Sequence, residues 1–343
     1  MVREIDINEY LLSKSEYVLL DTRTPAEYEK AHIPGAKNLP LLDNEDRVKV
    51  GTTYKQKGRE EAILLGFDLT GHKWRSFIEN ALVLAPNKKV VVYCWRGGMR
   101  SGIMAWVLDL YGFDVIKISK GYKSYRNWAF EQFEKTYPLL VLGGMTGSHK
   151  TEILIELKKQ GEQIIDLEDL AKHCGSSYGS MNKKDQPSQE QFENLLAYEL
   201  FLLDTNKRIW IEDESRTIGR KVIPENIFQI MRENYLVKID IDREKRVDFL
   251  VEEYGVLNKD FLIEATLRIA KRLGPVQTTT AVEAIKQGNM REFVSTALVY
   301  YDKAYLRGLE MREKDKIITV SIDFINAEQY AKELIEQMKE QNI

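Results

Sequence analysis

The sequence predicts an α/β protein of two domains, each built on a mainly parallel sheet. Short apolar runs bounded by turn or charge signals alternate with segments whose apolar residues recur at helical spacing. This alternation pauses at Pro138 and restarts with "LLVLGG" directly after it. The chain of 343 residues is also long for one compact core. We therefore predict domains at residues 1–137 and 138–343.

The first half of the chain contains four predicted strands and three predicted helices. The strands are "EYVLLD", "AKNLPLL", "KKVVVYC" and "FDVIKIS". The first helix, "TPAEYEKA", has Thr24 as its N-cap, Pro25 at the first helical position and Glu27 at the third, which is a capping box. The other two are "RSGIMAWVLDLYG" and the aromatic-rich "KSYRNWAFEQFEKTY".

The second half repeats the alternation and then becomes helical. Strands are predicted at "LLVLGG", "QIIDLE", "RIWIEDES" and "YLVKIDI", with helices at "KTEILIELKKQG" and "PSQEQFENLLAYELFLLD". From about residue 243 the pattern is helical, except for a short strand, "KIITVSID", before a terminal amphipathic helix. We predict a parallel-sheet domain with a helical extension.

The composition is that of an ordinary folded protein. With 43% hydrophobic residues, 30% charged residues and a net charge of −3, it indicates neither disorder nor a strongly basic nucleic-acid binder, although a local basic face remains compatible with it. The two cysteines, Cys94 and Cys174, are far apart and indicate no disulfide or metal framework, which favours a reducing, cytoplasmic location. No stretch has the length and hydrophobicity of a signal peptide or membrane span. We expect Cys174 to be non-catalytic.

The stretch "VVYCWRGGMRSG" places Cys94 between a strand and a glycine-rich turn into a helix. Backbone N–H groups of such a turn converge on one point and favour negative charge there, which makes a thiolate the favoured form. Two arginines in the loop add positive charge, so we predict that Cys94 is a nucleophile rather than a small buried apolar residue. The predicted anion loop consists of Trp95, Arg96, Gly97, Gly98, Met99, Arg100 and Ser101.

The segments "LLDTRTPAEYEKAHIPGAKNLP" and "VVYCWRGGMRSG" together resemble a rhodanese domain. The resemblance implies that Cys94 carries a transferable chalcogen, as a persulfide or its selenium counterpart. However, Arg100 lies six residues after the cysteine, which is the C-x5-R spacing of cysteine phosphatases, so phosphatase activity stays an alternative. We expect His32 to order a turn, and Asp21 and Arg23 to brace the loop.

The stretch "LLVLGGMTGSHKTEIL" has the strand, glycine-rich loop and helix of a phosphate-binding P-loop. Lys150 is expected to reach the outer phosphates. His149 stands where the motif has glycine, and we expect its ring to point outward without a catalytic role. Whether a metal binds is left open; if magnesium does, its predicted ligands are Thr151 and Asp213, the latter at the end of "RIWIEDES" with Glu212 as competitor. The predicted diphosphate-binding loop consists of Gly144, Met145, Thr146, Gly147, Ser148, His149, Lys150 and Thr151.

Basic residues follow two of the predicted strands and recur on one predicted helix. Residues after the strands of a doubly wound sheet face the ligand crevice, so these side chains are candidate contacts to phosphate or RNA. Arg243 and Arg246 fit either such a clamp or a solvated helix face. The candidate phosphate or RNA contacts are Asp213, Arg216, Arg220, Arg268, Lys271 and Arg272.

The order of the two loops, with "DLEDLAKHCGSSYG", "QPSQEQFENLL", "IEDESRTIGRKVIPENIF" and "KRLGPVQ", resembles the bacterial tRNA 2-selenouridine synthase family over essentially the whole chain. The resemblance implies conversion of a wobble 2-thiouridine in the anticodon arm of tRNA to 2-selenouridine through an S-geranyl intermediate. Its substrates would be geranyl diphosphate and selenophosphate, the latter supplied by another enzyme, with no tightly bound cofactor and no membrane partner. We expect the P-loop to bind the prenyl diphosphate and Cys94 to handle selenium. The alternative is a rhodanese-linked P-loop small-molecule kinase or sulfurtransferase.

Overall fold

The computed structural model describes residues 2–13, 16–173, 178, 185–321 and 326–341. The chain forms two compact units. The first comprises Met1–Phe133 with Glu190–Tyr198, and the second comprises Glu134–Gln189 with Glu199–Ile343. The boundary predicted at residue 138 assigns residues 190–198 to the second domain, whereas their contacts group them with the first unit.

The first unit is a five-stranded parallel sheet flanked by helices, with strand order β1-β5-β4-β2-β3. Its core is formed by apolar side chains of the central strands and α6, such as Leu20, Val90, Val92 and Met104. Its elements are β1 (Arg3–Ile5), α1 (Ile7–Leu12), β2 (Val18–Asp21), α2 (Pro25–Lys30), β3 (Lys37–Asn38), α3 (Asn44–Lys57), α4 (Arg59–Thr70), α5 (Trp74–Leu84), β4 (Lys89–Tyr93), α6 (Met99–Leu110), β5 (Asp114–Ile118) and α7 (Gly121–Phe133).

The local signals read from the sequence correspond to the elements that carry the first loop. Thr24 Oγ1 accepts from the N–H of Glu27, and the Glu27 carboxylate accepts from the N–H of Thr24, which completes the predicted capping box of α2. Strand β4 is an apolar run whose last four residues are buried. The helices α3, α4 and α5, between β3 and β4, were not among the predicted elements.

The second unit also has a five-stranded parallel sheet, with strand order β12-β11-β6-β8-β7. Its elements are β6 (Leu139–Gly144), α8 (Lys150–Lys159), β7 (Gln163–Ile165), α9 (Leu167–Ala171), α10 (Gln189–Leu202), β8 (Ile209–Glu212), β9 (Thr217–Ile218), β10 (Lys221–Val222), α11 (Glu225–Glu233), β11 (Leu236–Asp240), α12 (Arg243–Gly255), α13 (Lys259–Arg268), α14 (Ala270–Leu273), α15 (Pro275–Gln287), α16 (Met290–Glu310), β12 (Ile317–Ser321) and α17 (Ala327–Glu340).

Two hydrophobic clusters stabilise the second unit. One joins the sheet to α8 and α17, with Leu142, Leu154 and Leu334 fully buried. The other joins the helices from α12 to α16. The prediction of two α/β domains with parallel sheets, the second with a helical C-terminal part, is confirmed. Among the described residues, no helix combines the length and hydrophobicity needed to cross a bilayer.

Candidate active site

Cys94 lies directly after β4, at the start of the loop that leads into α6. Its side chain is buried, and the Ser101 hydroxyl donates a hydrogen bond to Cys94 Sγ at 3.3 Å. The turn into α7 packs against the loop so closely that a Cβ at Gly121, which has φ of +55°, would lie 2.1 Å from the Cys94 carbonyl oxygen. Gly97 has φ of +63°, a conformation that glycine adopts without strain. These glycines let the loop pack closely against the turn that leads into α7.

The two loop arginines differ in their surroundings. Arg100 forms a two-point ion pair with Glu27 of α2, with nitrogen–oxygen distances of 2.5 and 3.2 Å, whereas Arg96 is exposed to solvent. In the described part of the chain, neither guanidinium makes a hydrogen bond to Cys94 Sγ. Burial raises the pKa of Glu27, but its hydrogen bonds to Arg100 outweigh this and the net pKa is lowered. The Ser101 hydroxyl is the side-chain donor that the described structure places on the sulfur.

A buried ion pair supports the loop from the side. Arg23 and Asp21 are 1% and 0% exposed and meet at 2.6 Å, and Arg23 Nη2 also donates to the carbonyl of Ala31. The guanidinium lies 4.0 Å from the ring centroid of Tyr122, a cation–π distance. This arrangement agrees with the expected bracing role of the pair. His32 Nδ1 lies 2.9 Å from the carbonyl oxygen of Tyr28, which agrees with a turn-ordering role.

A cavity of about 580 Å³ opens beside the same loop, between α3, α4 and the start of α6. Its walls are mainly apolar, and Met99 and Arg100 of the loop form part of them. The sequence reasoning missed this cavity because α3, "NEDRVKVGTTYKQK", is largely polar and shows no apolar stripe. The available sequence signal is the presence of apolar residues such as Val48 and Phe67 in these helices, and the structure shows that both side chains are exposed.

The P-loop connects β6 to α8, as the motif predicts. Lys150 is the first residue of α8, and its Nζ donates to the carbonyl of Gly144 at 3.0 Å. Gly147 has φ of +82°, and a Cβ there would lie 3.0 Å from the carbonyl oxygen of Arg246. Arg246 is buried, pairs with Asp302 and donates to the carbonyl of Thr146 at 3.1 Å. Arg246 therefore holds the loop and is not part of a solvated helix face.

The carboxylate that meets Thr151 belongs to Glu212. Thr151 Oγ1 donates to Glu212 Oε1 at 3.3 Å, and Glu212 Oε2 is buried without a hydrogen-bond partner among the described residues. Burial, with the nearby carboxylates of Glu168 and Glu214, raises the pKa of Glu212 well above its ordinary value. Asp213 is instead held by Arg312 at 2.8 Å. The structure thus favours the competitor Glu212 over Asp213 as the partner of Thr151.

Thr151 and Glu212 offer the few oxygen ligands that suit a magnesium ion bound beside phosphates, and not the full ligand set of a dedicated metal centre. A hydroxyl and one carboxylate are hard oxygen ligands, and Mg²⁺ keeps several waters when it binds beside phosphates. Thr151 and Glu212, with its unpaired oxygen, would hold such an ion, which would supply charge neutralisation to a bound diphosphate. The part of the chain that the structure describes contains no cluster of three or more His, Cys, Asp or Glu arranged as a metal site.

His149 adopts a left-handed backbone conformation, with φ of 56° and ψ of 26°. A side chain is costly there, which explains why the motif has glycine. The ring does not point outward as expected: its side chain is 12% exposed, and its centroid lies 3.8 Å from that of Phe249 on α12. Burial lowers the pKa of His149, against the opposite effect of Glu152, so the ring is neutral near pH 7.

A cleft of about 1,910 Å³ extends from the P-loop. It brings together most of the predicted basic residues: Arg216, Arg220, Arg268 and Arg272 line it, whereas Lys271 does not. Arg272 Nη1 donates to the Tyr300 hydroxyl at 3.4 Å. Aromatic and aliphatic side chains of α12 and α16 form another part of its wall. Cys174 lies outside the described residues.

A thiol held in a rhodanese-type loop and a P-loop beside a deep cleft define a rhodanese-like domain joined to a P-loop domain. Comparison with protein families shows this class: the model of the rhodanese-like domain matches residues 8–127, and that of the tRNA 2-selenouridine synthase AAA domain matches residues 137–338. The chain belongs to the tRNA 2-selenouridine synthase family.

Curated relatives support the same assignment across the chain. The tRNA 2-selenouridine synthase of Nitrosomonas europaea is 34% identical over 328 residues, covering 90% of this chain and 80% of that protein. The enzyme of the same name from Nitrosomonas eutropha is 34% identical, covering 83% and 72%. That of Sulfurovum sp. strain NBC37-1 is 36% identical and covers 75% of each chain. The likeness therefore includes both loops.

Proposed function

We propose that this protein is a tRNA-modifying transferase that converts wobble 2-thiouridine to 2-selenouridine through an S-geranyl intermediate. The observation that carries the proposal is the presence of two different anion-binding loops in one member of this family. One loop holds a buried thiol, Cys94, and the other presents Lys150 at the mouth of a large cleft. Geranyl diphosphate and selenophosphate are the substrates that such a pair of loops would serve.

The first reaction alkylates the sulfur of 2-thiouridine. A sulfur lone pair forms a bond to C1 of the geranyl group, the C–O bond to diphosphate breaks, and the N3 proton is lost to solvent or a base. Diphosphate is a better leaving group when positioned donors stabilise its developing charge. The P-loop amides and Lys150 would provide that stabilisation, with the arginines of the cleft as further phosphate or RNA contacts.

The second reaction replaces the geranylthio group with selenium. The net change consumes selenophosphate and water and releases geranylthiol and phosphate. Cys94 is the nucleophile of this step, in a loop whose unpaired amides suit a small tetrahedral anion. The apolar cavity beside the loop, partly lined by Met99 and Arg100, suits a hydrophobic leaving group.

The cleft also suits recognition of an RNA nucleotide. A wobble base must leave the anticodon stack to be alkylated, and extruded bases are commonly stacked on aromatic rings while basic side chains hold the phosphates. Tyr300 and Tyr301 lie in the cleft wall with ring centroids 5.0 Å apart, close to Arg272. These residues are the proposed base and phosphate contacts.

One observation favours a second candidate, the rhodanese-linked small-molecule kinase. Glu212 lies beside Thr151 at the end of β8, where a P-loop kinase holds the magnesium of its nucleotide. A product assay separates the two functions. The protein is incubated with 2-thiouridine tRNA, geranyl diphosphate and selenophosphate, and the nucleosides are identified by mass. We expect geranylated and then selenated nucleosides without ATP; no product, or product only with ATP, would favour the kinase.

A further inference from the structure

The loop after Cys94 and the first turn of α6 present backbone N–H groups that the described residues leave unpaired. In the described structure, none of the backbone N–H groups from Trp95 to Ser101 donates a hydrogen bond, whereas the next one, of Gly102, donates to the carbonyl of Gly98. Unpaired N–H groups at a helix N-terminus are suited to an anion with several oxygens. This row of N–H groups fits a phosphoryl group, whose three oxygens require more donors than a single selenium atom does.

The sulfur is placed at the base of this row. Cys94 is 4% exposed, and the Ser101 hydroxyl lies 3.3 Å from both Sγ and the carbonyl oxygen of Gly98. A hydroxyl that donates to sulfur stabilises negative charge on it, both when the thiolate attacks and when it leaves again. Five residues separate Cys94 from Arg100, the spacing that cysteine phosphatases use to surround a phosphoryl group.

Electron counting excludes the simplest selenium chemistry at this cysteine. Selenium in selenophosphate is fully reduced, as selenium(−II), and phosphorus is in its +V state. Transfer of selenium to Cys94 as a perselenide would oxidise both sulfur and selenium, which requires a two-electron acceptor. Neither the chain nor the proposed substrates supply one. Attack of Cys94 on phosphorus requires none, because selenium leaves as hydrogen selenide.

We propose that Cys94 accepts the phosphoryl group of selenophosphate and releases hydrogen selenide, an inference that rests on the proposed function. The Cys94 thiolate forms an S–P bond, the P–Se bond breaks, and its electron pair leaves on selenium. Hydrogen selenide then adds to C2 of the S-geranyl base, its proton passes to N3, and geranylthiolate departs. Water cleaves the S–P bond and restores the thiol with release of phosphate. Phosphorus, selenium and electrons balance over the cycle.

The expected signature is a phosphorylated Cys94 in the absence of tRNA. The full chain is mixed anaerobically with selenophosphate alone, quenched rapidly, and the Cys94 peptide is examined by ³¹P NMR and mass spectrometry. A phosphoryl group and a selenium atom add nearly equal masses, so the selenium isotope pattern must be checked. We expect a thiophosphate signal on the Cys94 peptide without the selenium pattern, and one equivalent of selenide released per chain.

Matched variants locate the adduct. Cys174→Ser should retain the phosphoryl signal, whereas Cys94→Ala should lose it, because Cys174 is the other cysteine of the chain. Ser101→Ala should slow formation of the adduct about tenfold, the effect of one hydrogen bond to the nucleophile. A folded Ser101→Ala variant with an unchanged rate would remove that residue from the inference.

Two results would overturn the inference while leaving the proposed function standing. They are selenation of geranylated tRNA with selenium bound to Cys94, and selenation with no phosphoryl signal on Cys94 at any quench time. Failure of the wild-type chain to consume selenophosphate or form selenated tRNA would instead overturn both. A phosphoryl adduct together with selenated product supports both.

Discussion

The loop after β4 and the loop after β6 are built alike, but they are prepared for different chemistry. Each follows a buried parallel strand and contains a glycine with positive φ before a helix. The first buries a thiol, and its arginine at the helix start is neutralised by Glu27. The second has no nucleophile of this kind but presents Lys150 near the buried carboxyl of Glu212. This difference supports the proposal that the first loop forms bonds and the second stabilises a leaving anion.

Each loop is also braced by a buried arginine. Replacing the arginine of the second loop is expected to have the largest effect on stability. Arg246→Ala removes the pair with Asp302 and the hydrogen bond to Thr146, leaving a largely buried carboxylate without its cation. We expect a loss of about 3 kcal/mol in the stability of the second unit, since breaking a buried pair costs about 3–5 kcal/mol. Hydrogen exchange of the P-loop amides measures it. The control Arg243→Ala, an exposed arginine on the same helix, should change little; equal effects would show that Arg246 does not hold the loop.

Weakening the Glu27–Arg100 ion pair is expected to lower the stability of the first unit by a smaller amount, which depends on pH. Glu27→Gln weakens the ion pair and the capping box of α2, with an expected loss of about 1–2 kcal/mol in the stability of the first unit. Because the folded-state pKa of Glu27 is lowered, its contribution is present above the ordinary glutamate pKa of about 4.3 and is lost as pH falls through the folded value.

Urea unfolding at several pH values tests this account of Glu27. The difference in stability between the wild type and Glu27→Gln should be constant from about pH 5 to 7 and shrink below about pH 4. Glu29→Gln, on the same helix, is the control. A difference that stays constant down to acid pH would show that the charge of Glu27 does not contribute.

His149 provides a test of the proposal that the P-loop binds a prenyl diphosphate. Its neutral ring and Phe249 form an apolar wall beside the phosphate cradle, so His149→Gly should weaken binding of geranyl diphosphate about tenfold, the value of burying one to two methylene groups. Binding of inorganic diphosphate should be unchanged. Calorimetry measures both, with Phe228→Ala, a change elsewhere in the cleft, as control. Equal weakening of both ligands would show that His149 acts on the loop backbone instead.

The smallest expected effect is on tRNA binding, for which two neighbouring basic residues should differ. Arg272 lines the cleft and Lys271 does not, so Arg272→Ala should weaken tRNA binding a few-fold and reduce the salt dependence by about one phosphate contact. Lys271→Ala should leave both unchanged. Filter binding at several salt concentrations measures the slope. If Lys271→Ala has the larger effect, tRNA does not enter this cleft.

The sequence was informative where signals are local. The apolar runs at β4 and β6, the capping box at Thr24 and the glycine loops each lie within a few residues, so short-range rules predict them. It was uninformative where distant segments meet. Arg100 pairs with Glu27 across 73 positions, and residues 190–198 belong with the first unit, because the tertiary fold brings them together.

The choice between the adjacent residues Glu212 and Asp213 also depends on the tertiary fold and could not be made from the sequence. Adjacent residues of a strand point to opposite faces, so which acid faces Thr151 depends on the register of β8 in the sheet. The basic segment after Arg268 gives another case. Its helical spacing predicts that Arg268, Lys271 and Arg272 act together. However, the helix is interrupted at Ile269, between α13 and α14, and of the three only Arg268 and Arg272 line the cleft.

The assignment of one reaction to each loop is tested most directly by giving each variant the reaction that does not use its altered loop. Cys94→Ala receives 2-thiouridine tRNA with geranyl diphosphate, and Lys150→Ala receives geranylated tRNA with selenophosphate; the nucleosides are quantified by mass. We predict near wild-type rates in both reactions, and losses of about 10²-fold or more when the two substrates are exchanged between the variants. Loss of geranylation in Cys94→Ala, or of selenation in Lys150→Ala, would contradict this assignment.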